Sequence, residues 1–312
     1  MLRRLLLPLM LLLLLPVPAA AQKMIALSFD DVPRGRGAFF TPDERTRRII
    51  VELKKAKAPQ AAFFVNPGAI GHGDGTGGEA RIAAYVAAGH VIANHGNSHK
   101  RLSTTDTAAY LADIDAAKVW LKDRAGYRPW FRFPFLDEGG KDKAKRDALR
   151  QGLAARGLRN GYVTAESSDW HLESLTRDAV RAGKKIDRTA LGNLYVRWHV
   201  EAADFADAMM RRVTGRQPVQ VMLLHETDLA ALHIGDLVRA LRKAGWTIVS
   251  ADTAYADPIG QEMPDVPVAN GTLTEALAWA AGVPAPRWYR YNQVDLATAA
   301  FRDKVLGEGD GE

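Results

Sequence analysis

The chain has 312 residues, 42 Lys and Arg against 36 Asp and Glu for a formal charge of +6, 47% hydrophobic residues and no cysteine. That composition excludes wholesale disorder, and the length suits one large α/β barrel or about two smaller domains. Without cysteine there are no disulfides, thiolate metal sites or Cys nucleophiles, so any metal must be held by His, Asp or Glu.

Residues 1–21 read as a cleavable export signal rather than as part of the fold. Arg3 and Arg4 form a positive start, Leu5 to Leu15 is apolar apart from Pro8, and Ala19-Ala20-Ala21 offers a small-residue cleavage site before Gln22. A run of eleven falls short of the roughly 17 to 25 residues that span a bilayer, so a membrane anchor is the weaker reading. A periplasmic or secreted protein is expected, without stable membrane insertion after cleavage. Once Arg3 and Arg4 are gone, 40 basic residues face 36 acidic ones, a net +4. That is too weak a surplus to imply nucleic acid as a partner.

From Met24 onward, short apolar runs alternate with amphipathic stretches. Met24 to Phe29 is strand-like. Thr41-Pro42-Asp43-Glu44 then opens a helix to about Lys57, with Thr as N-cap, Pro at the first helical position and Glu closing a capping box. Ala61 to Val65 is a second strand, Glu79 to Ala88 a helix ended by Gly89, and His90 to Asn94 a third strand. Ser103 to Asp106 opens a long helix that stops at Gly126. Trp130 to Phe133, Tyr162 to Ala165, Val219 to Leu224 and Thr247 to Val249 read as further strands. Asp142 to Arg156 and Ile234 to Ala244 read as helices. Repeated strand–helix units imply parallel strands with right-handed crossovers, and at seven or so units a closed (β/α) barrel is preferred to an open doubly wound sheet. Residues 171–216 look like a helical insertion. Residues 257–312 form a proline-punctuated tail packed on the barrel, with one helix from Thr272 to Ala281. The tail's Trp279, Trp288, Tyr289 and Tyr291 read as a staple onto the barrel wall rather than as a sugar platform.

Ionisable residues follow nearly every strand. Asp30 and Asp31 follow the first, His95 and His99 the third, Arg132 the next, then Asp169 and Trp170, and finally His225. Strand ends of a (β/α) barrel converge on one mouth, and charged groups are too costly to desolvate to gather there without purpose. His95 and His99, four apart, could aim both imidazoles at one ion from a helical turn, and a nearby carboxylate would complete a facial two-His-one-carboxylate site. Adjacent Asp30 and Asp31 could divide the tasks of metal ligand and general base.

These residues fall into five ordered motifs between residue 24 and about 255 that resemble the polysaccharide deacetylases of the NodB-homology type, carbohydrate esterase family four. Ser28-Phe29-Asp30-Asp31-Val32-Pro33, His95-Gly96-Asn97-Ser98-His99, Arg132-Phe133-Pro134-Phe135, Glu166-Ser167-Ser168-Asp169-Trp170 and Leu223-Leu224-His225 carry the resemblance. It implies a divalent metal on Asp31, His95 and His99, commonly zinc in the family, with cobalt or another ion as the alternative. It also implies Asp30 as general base oriented by Arg132, and His225 as general acid aligned by Asp169. Leu223 and Trp170 would line the acetyl pocket, and the Phe135 backbone N–H would help hold the oxyanion.

The pattern departs from the family at four places. Val32 stands where Gly is usual, Gly96 where a hydroxyl residue braces the first histidine, Lys100 where Pro is common, and Glu166 where an Asp is usual. The expected activity is removal of N-acetyl or O-acetyl groups from a polysaccharide or oligosaccharide substrate, with chitin oligomers, peptidoglycan and xylan all compatible. Two alternatives are a non-catalytic carbohydrate-binding barrel and a metal amidohydrolase acting on a non-sugar amide. The glycine-rich run 71–78 lacks the Lys-Ser/Thr of a phosphate loop and reads as a rim loop.

Overall fold

The computed structural model describes residues 22–309. The expected export signal, residues 1–21, lies outside the described residues. The strands are β1 (Met24–Val32), β2 (Ala62–Val65), β3 (Val91–Asn94), β4 (Tyr127–Phe131), β5 (Asp137–Gly140), β6 (Arg159–Asn160), β7 (Gln220–His225), β8 (Thr247–Ile248) and β9 (Ala269–Asn270). The helices are α1 (Pro42–Lys55), α2 (Gly78–Ala87), α3 (Thr107–Leu121), α4 (Lys143–Ala155), α5 (Asp169–Arg181), α6 (Arg188–Thr214), α7 (Asp228–Lys243), α8 (Ala251–Tyr255), α9 (Leu273–Ala280) and α10 (Val294–Leu306).

A seven-stranded parallel sheet runs in the order β6-β4-β3-β2-β1-β7, with β8 pairing the start of β1. It curls into a distorted barrel. Its two end strands are joined by residues 161–165, which leave β4 through the Gly161 N–H to Phe131 carbonyl bond and reach β7, where Leu223 N–H donates to the Ala165 carbonyl at 2.9 Å. This crossing explains why only Arg159–Asn160 forms a ladder, while the apolar run Tyr162–Ala165 contributes a single bridge, Ala165 to Met222.

Two-residue periodicity splits each strand between two cores. Ile25, Leu27 and Phe29 pack outward against the helices with Phe63, Val65, Met222 and Leu224. Phe29, Phe63 and Tyr85 stack there with ring centroids 4.8 and 3.9 Å apart. Ala26, Phe64, Val91, Ala93, Trp130 and Val221 fill the barrel interior. The interior rows therefore read Ala26-Ser28-Asp30, Val91-Ala93-His95, Trp130-Arg132 and Val221-Leu223-His225. Alternation alone brings Asp30, His95, Arg132 and His225 to the same end of the barrel.

Helix α1 starts as its sequence dictates, with the Thr41–Glu44 capping box formed. Helix α3 begins later than the Ser103 signal, because Asp106 caps Ala108 and Ala109 while Leu102–Thr104 forms a 3₁₀ turn. Helices α5 and α6 occupy the segment without strand pattern. The residues after 257 lie against the barrel: β9 pairs antiparallel with β5, α9 packs on α6, and α10 packs on α5 and α6. Tyr289 is buried and Tyr291 stacks on Trp198 at 4.5 Å. No helix among the described residues is long and apolar enough to cross a membrane.

Candidate active site

At the barrel mouth lies a cavity of about 450 Å³, lined by Asp30, Asp31, His95, His99, Phe135, Glu166, Trp170, Leu223 and His225. Arg132 and Asp169 stand directly behind this surface, bonded to Asp30 and His225. All ten residues assigned from the motifs thus meet in one place. Alternation cannot put adjacent Asp30 and Asp31 on one side. The register with β2 shifts between Phe29 and Val32, so three steps on β1 match two on β2, and Asp31 takes φ +64°. This bulge re-aims Asp31 toward the mouth beside Asp30. The left-handed conformation falls on Asp31 rather than on Val32, which is fully buried. Asp tolerates that region better than a β-branched residue.

His95 and His99 converge differently from the helical turn read in their spacing. Residues 95–99 form an irregular loop, with Gly96 at φ +74° and His99 at φ +52°. The Asn66 side-chain amide donates to the carbonyls of His95 and Gly96, at 2.6 and 3.0 Å. Buried Asp113 on α3 accepts the N–H groups of Asn97 and Ser98 and the Ser98 hydroxyl. That hydroxyl ties the loop to α3, while the first histidine is braced by the Arg132 carbonyl.

The Asp31, His95 and His99 ligand atoms lie within 4.8 Å of one another. Asp31 Oδ1 is 3.0 Å from His99 Nε2 and 3.5 Å from His95 Nε2, is out of reach of solvent, and accepts no hydrogen bond. His95 Nδ1 lies 2.9 Å from the Arg132 carbonyl, so Nδ1 carries the proton and Nε2 presents a lone pair. A bare carboxylate oxygen faced by imidazole lone pairs fits a divalent cation that accepts N and O ligands. Burial works to raise the Asp31 carboxyl; with N–H groups rather than lone pairs turned toward it, as when no ion lies between them, His95 and His99, with His225 and Arg34, hold it well below the usual carboxylate range.

Asp30 is buried beside this set, its Oδ2 3.7 Å from His95 Nε2. Arg132 Nη1 lies 3.0 and 3.1 Å from its two carboxylate oxygens. The guanidinium is held in turn by Ser28, Tyr255 and the Gly161 carbonyl, and lies 4.2 Å from the Phe64 ring. Opposite, Asp169 at the start of α5 grips His225 twice, through Nδ1 at 2.7 Å and the backbone N–H at 2.8 Å. Burial opposes a charged imidazole, yet the Asp169 carboxylate prevails and raises His225 to about 9. Glu166 lines the same wall. Burial pushes its carboxyl up to about 7 against the pull of His225, with the Asp169 charge adding to the rise.

The structure adds residues that the motifs did not mark. Arg34, Arg101, Leu136 and Gly271 also line the cavity. Gly271 arrives from the C-terminal segment through its N–H bond to the Leu136 carbonyl, a contact with no local sequence signal. Ser28 opens the first motif without a role assigned to it, and Tyr255, which also holds Arg132, carries no motif signal. The remaining histidines lie outside the cavity: His90 Nδ1 accepts the Ala61 N–H, His171 bonds Thr298, and His199 bonds the Tyr195 carbonyl. The glycine-rich run 71–78 does not line it either.

Residues 18–155 match the family model described as polysaccharide deacetylase. That stretch holds Asp30, Asp31, His95, His99, Arg132 and Phe135, while Asp169, Trp170, Leu223 and His225 lie beyond it. The fold is similar to that of the chitin deacetylase from Colletotrichum lindemuthianum, at TM-score 0.52 and 16% identity over 76% of this chain and 88% of the other. It is also similar to a polysaccharide deacetylase from Bacillus cereus, at TM-score 0.51 and 18% identity over 73% of this chain and 92% of the other. No curated protein matches the sequence. Residues 18–155 are thus similar to a polysaccharide deacetylase domain, and the described residues share the distorted barrel fold of these two structures.

Proposed function

We propose that the protein is an exported, metal-dependent hydrolase that removes N-acetyl or O-acetyl groups from a polysaccharide or oligosaccharide. The observation that carries this reading is the unpartnered Asp31 Oδ1 facing two imidazoles, flanked by an Arg132-held aspartate on one side and an Asp169-held histidine on the other. Asp31, His95 and His99 would hold the divalent ion, with zinc the first candidate. Such an ion, when bound, acidifies water and polarises the acyl carbonyl.

The protein's own groups then divide the work. Asp30 accepts the proton of the attacking water as the new C–O bond forms. Arg132 keeps that carboxylate aimed. His225, protonated because Asp169 backs Nδ1, gives its Nε2 proton to the leaving nitrogen or oxygen as the C–N or C–O bond breaks. Acetate and a free amine or hydroxyl are the products. Each proton transfer is worth roughly 10² to 10⁴ in rate. Leu223 and Trp170 confine the acetyl methyl, and the Phe135 N–H donates to the oxyanion, a contact of the kind worth about 10² to 10³.

Acetate release from a panel of N- and O-acetylated glycans by metal-loaded protein tests the reading. Release that depends on Asp30 supports it. Metal-loaded protein that releases no acetate from any glycan but hydrolyses simple amides would move the assignment to a non-sugar amidohydrolase.

A further inference from the structure

Two arginines that the hydrolytic chemistry leaves unused line the cavity, Arg34 and Arg101. Arg34 follows β1, with Nη1 2.7 Å from Asp31 Oδ2 and its backbone N–H on Glu226 at 2.8 Å. Arg101 lies two residues beyond His99. Its guanidinium is 4.0 Å from the Phe135 ring centroid, and that ring is 4.5 Å from the ring of His99.

The nearest acid to Arg101 is Asp137, at 3.8 Å, beyond hydrogen-bond reach. Asp137 is already supplied by the Ser103 N–H and hydroxyl and by the Gly139 N–H. Among the described residues, the Arg101 guanidinium therefore has no hydrogen-bond acceptor, and it lies over the Phe135 ring. A planar fork with unused donors matches an oxyanion, and the ring contact reduces the freedom it must give up when a ligand arrives. Two of the cavity's carboxylates are already engaged, Asp30 by Arg132 and Asp31 Oδ2 by Arg34.

Resting on the deacetylase reading, we infer that the glycan carries an anionic substituent, and that Arg101, assisted by Arg34, binds it one aromatic ring's width from His99. A carboxylate and a sulfate share the required chemistry. The carboxylate matches the planar fork in two parallel bonds.

The test separates binding from turnover. Metal-loaded Asp30→Asn protein is titrated calorimetrically with three oligosaccharides of matched length: neutral N-acetylglucosamine oligomers, N-acetylhexosamine–uronate oligomers, and the sulfated neutral oligomer. The uronate or sulfated oligomer should bind about tenfold or more tightly than the neutral one, and that preference should shrink as salt is added. Adding Arg101→Gln should bring the ratio to within about twofold. Equal binding of all three, or a preference that survives Arg101→Gln, overturns the inference. Acetate release by the wild type is measured in parallel. Tight, Arg101-dependent binding of an anionic oligomer without acetate release from any of the three would sustain this inference and refute the deacetylase reading.

Discussion

A Cβ placed on Gly96 would stand 3.0 Å from Asp113 Oδ2, the oxygen that accepts the Asn97 and Ser98 N–H groups. With φ at +74°, Gly96 is needed on two counts, backbone conformation and room for the brace beneath the histidine loop. Restoring a hydroxyl with Gly96→Ser should therefore harm the protein. We expect a loss of about 1–2 kcal/mol in thermal or denaturant unfolding, together with weaker divalent-ion binding. Asp113→Ala should leave Ser98 and two backbone donors without their acceptor, and should lower ion affinity about 10- to 100-fold. Isothermal titration with zinc checks both. Unchanged affinity in Asp113→Ala would remove the bracing role.

His225 gives the pH dependence. Its folded pKa, about 9, lies above the ordinary value of 6.5 because Asp169 outweighs burial. The charged imidazole is thus favoured in the folded state. Its contribution to stability is fully present below about 6.5 and fades as pH rises through about 9. Turnover that depends on this acid should fall along an alkaline limb near the same pH. Asp169→Asn should move that limb down toward neutrality and cut turnover about 10²-fold or more. A kcat profile against pH reads it, and a limb that stays in place in the variant would deny His225 the acid role.

Asp30 can be separated from the ion set. Asp30→Asn keeps an acceptor for Arg132 but not its counter-charge, so stability should fall less than in Asp30→Ala, ion content should persist, and turnover should fall at least about 10²-fold. Asp30→Ala strands the buried guanidinium and should cost about 3–5 kcal/mol in stability. Acetate release and metal analysis on the same preparations check the separation. Full turnover in Asp30→Asn would dismiss it as the base.

Much of this site was legible because strand periodicity is strict. Once Val91-Ala93 and Val221-Leu223 are read as inward rows, His95 and His225 must follow them to the mouth. What escaped was geometry set by contacts distant in sequence. The bulge that turns Asp31 toward Asp30 depends on pairing with β2, and the loop that unites His95 with His99 depends on Asn66 and Asp113. The strand expected over Tyr162–Ala165 is apolar enough, but the crossing from β4 to β7 leaves it only one bridge. β5 and β9 are two short, polar or glycine-rich segments that pair only with each other, so neither carries a strand pattern of its own. Gly271 reaches the cavity through that pairing.

On the proposed reading, Asp31, His95 and His99 together hold one divalent ion. The most direct test is metal stoichiometry after reconstitution with zinc and removal of excess ion, for the wild type and for His95→Ala, with circular dichroism showing both folded. We predict one ion per chain in the wild type and close to none in the variant. A wild type that retains no ion, or a folded His95→Ala protein that retains a full equivalent, would rule out this ligand set.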